Sequence, residues 1–195
     1  MTKVLNLEAL RSADMRTEPW PWAYYENALH TCDALAAAFP VEGLVHEPQR
    51  GVLEEYGRRH DTDWATSDQK RDLVRLGERE PYQPSDLDEL WIEVAYDLLS
   101  DDYQDALSEL TKVDLRRLKL RASFHSFNED YSCKPHLDEP QEVVSHLIYL
   151  DDNARQDPTG HYKIYRSGDS SDIHTLLPAE AEPGGHPSAD RGLVA

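Results

Sequence analysis

Cysteine is nearly absent. Cys32 and Cys133 are the only two in 195 residues, too few and too far apart for the disulfide framework of a small secreted domain. No apolar run approaches the roughly 20 residues that a membrane-spanning helix needs, and the N-terminus lacks the basic and apolar regions of a signal peptide. A reducing, cytoplasmic setting is the natural expectation. Positive charge is also scarce: 20 Lys and Arg stand against 38 Asp and Glu, a formal net charge of −18. Such a surface repels phosphate backbones and anionic headgroups, which argues against nucleic acid and membranes as partners. At this length one domain is expected, large enough to bury a core.

The first third reads as helical and loop-rich. Pro19 and Pro21 fix an extended path through Trp20, Trp22, Tyr24 and Tyr25, whose rings are expected to pack a following helix onto a sheet. Leu29, Cys32, Leu35, Ala36 and Phe39 recur at helical spacing up to Pro40. Residues 49–80 are polar with clustered charge and read as a surface loop. A lid, with Arg71 or Arg75 reaching an anionic ligand, is the functional alternative. Residues 85–111 form the clearest helical region, with Ser85 as a cap, an apolar stripe through Leu87, Leu90, Trp91, Val94, Leu98, Leu107 and Leu110, and a break near Ser100-Asp101-Asp102.

From Leu115 the period becomes strand-like. Leu118, Leu120, Ala122, Phe124 and Ser126 share one face, with Lys119, Arg121, Ser123, His125 and Phe127 on the other. Further strands are expected at 143–150 and 162–166, with weaker candidates at 175–178 and 192–195; residues 178–187 read as a loop. Within 134–140 (KPHLDEP), His136 and Asp138 stand two apart, so in an extended segment both face one way. An imidazole and a carboxylate so placed are two thirds of the facial triad that holds non-haem Fe(II). His146, inside an apolar strand, is expected to be a hydrogen-bonded core histidine. His161 and His174 would approach a pocket only in the right strand register, and His30, His46 and His60 look peripheral.

His136-Leu137-Asp138, then HLIYLDDN at 146–153, then GHYKIYRS at 160–167 resemble the 2-oxoglutarate/Fe(II)-dependent dioxygenase superfamily. The resemblance covers about 115–195 well and the N-terminal half more loosely; Gly160-His161 departs from the family's double glycine. It implies an α+β fold with a jelly-roll (double-stranded β-helix) core. Residues 1–114 would be a mainly helical lead-in packed on the sheet, and 115–195 an incomplete core in the same single domain. It implies Fe(II) as cofactor, held by His136 and Asp138, with 2-oxoglutarate and O2 as co-substrates. The family's second His and its co-substrate Arg are expected beyond Ala195, leaving the 195-residue chain itself inactive. The rival account makes His186 the third ligand and Arg191 the anchor. Arg71 and Tyr149 are further candidates for co-substrate contact.

The segment 124–136 is similar to bacterial enzymes acting on free amino acids, hydroxylases related to lysine halogenases. Halogenases replace the Asp of the motif by Gly or Ala, so Asp138 implies a hydroxylase. Glu139, with Glu129 or Asp130, would bind a substrate ammonium, and His125 would line the pocket; solvated loop carboxylates are the plainer reading. The implied substrate is a free, cationic amino acid. A prolyl-hydroxylase-like enzyme acting on peptides and a catalytically incomplete cupin-like binding module are the alternatives. Oligomeric state is not legible.

Overall fold

The computed structural model describes residues 3–42, 44–46, 68–81, 87–127, 135, 138, 140–150, 162–177 and 191–195. In chain order these form α1 (Leu7–Ser12), β1 (Ala23–Glu26), α2 (Cys32–Ala37), β2 (Val45–His46), β3 (Asp68–Val74), α3 (Glu89–Leu98), α4 (Asp101–Thr111), β4 (Ala122–Phe127), β5 (His146–Tyr149), β6 (Tyr162–Tyr165), β7 (Ile173–Leu177) and β8 (Arg191–Val194). The fold is mixed α+β with small antiparallel sheets, and the described strands close no barrel.

Helix boundaries follow the capping chemistry. Asp88 caps α3, accepting from the Leu90 amide at 2.8 Å, so the helix starts later than the expected Ser85, which lies outside the described residues. Ser100 ends one helix and caps the next, its Oγ accepting from the Tyr103 amide at 3.3 Å; this is the expected break. Asp97 ties the chain start to α3 by accepting from the Val4 and Leu5 amides at 2.6 and 3.0 Å.

Two three-stranded sheets carry the orders β1-β8-β5 and β2-β3-β4, and β6 and β7 form a two-stranded sheet. Residues before 114 therefore supply strands to both larger sheets as well as helices. The weak strand candidate at the C-terminal end, β8, is a central strand: Leu193 pairs with Tyr24 on one side and Leu147 on the other. The polar stretch read as a loop contains β3, a correction. Its sequence hides the strand because Arg71, rather than an apolar residue, is buried at one position while Asp72 pairs with Arg121 at the surface.

The main core joins all four helices to one face of each larger sheet: Leu10, Ala23, Leu35, Leu73, Trp91, Ala106, Phe124 and Val194 all lie within it. Phe39, Trp91 and Phe124 meet edge to face, with centroids 4.7 to 6.2 Å apart, joining α3 to β4. A second cluster lies on the opposite face of β8, where Leu193 packs with Trp22, Ile164 and Leu177. Trp20 and Trp22 thus seat the β6–β7 hairpin, not a helix as expected; the Trp20 indole donates to the Tyr165 carbonyl at 3.3 Å. Alternation along β1 explains this, because Ala23 and Tyr25 take the helical side and Trp22 and Tyr24 the hairpin side.

Candidate metal centre

Asp138 precedes a turn at Pro140 and Gln141, after which the chain runs into β5. The reversal brings the Ser145 hydroxyl back onto it: Ser145 Oγ donates to Asp138 Oδ2 at 2.6 Å. Ser145 is itself fixed by the backbone, exchanging two hydrogen bonds of 2.9 Å with Ala195 and extending the β5–β8 ladder by one pair. Asp138 is exposed.

A carboxylate has about four lone-pair sites, and the Ser145 hydroxyl takes one of them. Oxygen from a carboxylate and nitrogen from an imidazole suit divalent iron; of the expected pair, Asp138 is among the described residues. His136 and His186 lie outside the described residues, as do Glu129, Asp130 and Glu139. Among the described residues no group of three or more His, Cys, Asp or Glu is gathered to hold a metal.

Two of the candidate anchors come together. Tyr149 on β5 stands directly opposite Arg191 on β8, and Glu26 on β1 opposes Arg191 from the other side. Alternation puts Tyr149 on the hairpin side of the sheet, where burial, with Tyr162 nearby, raises its phenol above the usual range. The third candidate stands elsewhere. Arg71 is 9% exposed in β3, opposite Phe124, and its Nη1 donates to the Glu42 carbonyl at 2.8 Å. His125 is exposed on β4 and opposes Lys70.

His146 is held on both ring nitrogens, with Tyr25 Oη 2.7 Å from Nε2 and Tyr103 Oη 2.7 Å from Nδ1. Burial lowers its pKa to about 4, so it is neutral at pH 7. This is the satisfied core histidine expected, and it anchors the strand that begins beside Ser145. His174 is the extra residue of a β-bulge, since Ile164 opposes Thr175 while Tyr165 opposes Ile173.

The sequence reading missed Ser145, Tyr25 and Tyr103. One signal was available for Ser145, a lone hydroxyl that with His146 interrupts the apolar run Val143-Val144-Ser145-His146-Leu147-Ile148. In comparisons with known proteins, no family model, curated protein or solved structure matches the chain. Among the described residues no helix is long and apolar enough to cross a membrane.

Proposed function

We propose that the protein is a 2-oxoglutarate- and Fe(II)-dependent dioxygenase that hydroxylates a free, cationic amino acid. The observation that carries this reading is the pairing of the four strands after the His136-Leu137-Asp138 element. β6 pairs with β7, and β5 with β8, all antiparallel, in two separate sheets joined by a shared apolar cluster. Nested pairing of this kind is how a long hairpin winds into a jelly-roll, and the His136-Leu137-Asp138 element precedes these strands in the sequence.

In this reading His136 and Asp138 hold the metal, and Ser145 keeps the Asp138 carboxylate in place. The metal, with 2-oxoglutarate and O2, supplies oxidation: one oxygen atom enters a substrate C–H bond, and the other leaves in succinate as CO2 is released. In the rival account, where Arg191 is the anchor, Arg191 and the Tyr149 opposite it in the β5–β8 ladder would supply a cation and a phenol for the co-substrate's carboxylate. Glu129, Asp130 and Glu139 set a negative field that favours an ammonium over an anionic side chain. Asp138 occupies the position a halide would need, so added chloride leaves the product unchanged.

The test is anaerobic titration with Fe(II), followed by 2-oxoglutarate. One equivalent of iron and a visible charge-transfer band are expected, both lost in His136→Ala, Asp138→Ala. A panel of free amino acids and peptides is then assayed for succinate and for a mass gain of one oxygen. Iron binding unchanged in the double variant overturns the assignment. Turnover confined to peptides overturns the substrate class alone.

A further inference from the structure

We propose that Ser145 is a positioning residue of the iron site, holding the Asp138 carboxylate in the orientation that takes the metal; this rests on the dioxygenase reading above. Asp138 is exposed, and an unrestrained carboxylate at an exposed position samples several rotamers and loses that freedom on ligation. The hydroxyl that restrains it comes from a rigid place. Ser145 is paired to Ala195 through both its amide and its carbonyl, and the next residue, His146, is held by Tyr25 and Tyr103. The donor is therefore held by the backbone of the sheet.

One O–H engages one oxygen, Oδ2, at 2.6 Å. Metal-ligating carboxylates are themselves hydrogen-bonded, and loss of such outer partners typically weakens metal affinity about 10- to 100-fold. The competing role is a purely structural one, closing the turn between residues 138 and 145. A solvent-facing hydrogen bond of that kind contributes little to folding, so the two roles separate by what is measured.

The matched pair is Ser145→Thr and Ser145→Val, nearly identical in shape and both suited to extended backbone, differing in the hydroxyl. Ser145→Ala is the second variant should the branched pair fold poorly. Each is titrated anaerobically with Fe(II), and with Co(II), whose visible spectrum reports coordination. Wild type and Ser145→Thr are expected to bind alike. Ser145→Val and Ser145→Ala are expected to bind about 10- to 100-fold more weakly, with an altered Co(II) spectrum and an unchanged metal-free melting temperature. Equal affinity and equal spectra across the set overturn the role of Ser145 alone. A folded wild type that takes up neither metal overturns the iron reading, and the role of Ser145 with it.

Discussion

Tyr103 Oη lies 2.7 Å from His146 Nδ1, with the two rings stacked at 23° and 5.8 Å between centroids. Tyr25 Oη closes the other side at 2.7 Å from Nε2. A neutral imidazole has one N–H and one lone pair, so one tyrosine donates to the ring and the other accepts from it. The three residues come from α4, β1 and β5, so one polar node joins a helix to both outer strands of a sheet. Replacing Tyr103 with Phe leaves a ring nitrogen without its partner in a part-buried site. Urea unfolding should show a loss of about 1–3 kcal/mol. A loss under about 0.5 kcal/mol would mean that water substitutes for the phenol.

The same node sets a pH dependence. His146 titrates near 4 in the fold and near 6.5 when unfolded. The folded chain thus prefers the neutral ring, and this contribution is fully present above pH 6.5. As pH falls below 6.5 the unfolded state takes up a proton that the folded state refuses, and stability declines until about pH 4. The loss is at most about 3 kcal/mol. Because carboxylates also titrate in acid, the measurement compares wild type with His146→Gln, whose amide can serve both tyrosines without titrating. The variant's stability should fall less steeply between pH 6.5 and 4, and parallel curves would refute the assignment.

Gly192 makes the node possible. Tyr25 opposes Gly192 in the β1–β8 register, and its ring crosses that position to reach His146 one strand further on. A Cβ at residue 192 would stand 2.1 Å from Tyr25 Cζ, an impossible contact with a ring packed in the core. Gly192→Ala should therefore displace Tyr25, break its bond to His146 and destabilise by about 1–3 kcal/mol. Tyr25→Phe keeps the ring in place, so the test is the double variant Gly192→Ala, Tyr25→Ala, in which the added methyl should cost far less.

Arg71 is expected to act through the fold. Its Nη1 satisfies the Glu42 carbonyl from a position that is 9% exposed. Arg71→Met removes that donor and should lower stability by about 1–3 kcal/mol, read by thermal melting, while leaving the affinity for 2-oxoglutarate within twofold. A large loss of co-substrate affinity at unchanged stability would reverse that reading.

Local chemistry made much of the architecture legible. The apolar stripe from Leu87 to Leu110, the break at Ser100 and the alternation through Phe124 each depend on neighbours in sequence, and each appears as α3, α4 and β4. The polar stretch containing β3 was not legible, because a buried arginine breaks the apolar alternation that marks a strand. The candidate site was legible in part. His136 and Asp138 stand out by spacing, whereas Ser145 matters only because a turn returns the chain to Asp138.

By itself the sequence determined the acidic surface, the periods of its helices and strands, and the His136-Leu137-Asp138 element, since each is a property of residues a few positions apart. Tertiary structure alone decided that the segment at 191–195 runs between β1 and β5, that Tyr149 stands beside Arg191, and that Tyr25, Tyr103 and His146 meet. These contacts join residues between 42 and 171 positions apart, counting from Tyr149 to Arg191 and from Ala23 to Val194. Their selection depends on which apolar faces can be buried together, a choice that alternation within one strand leaves open.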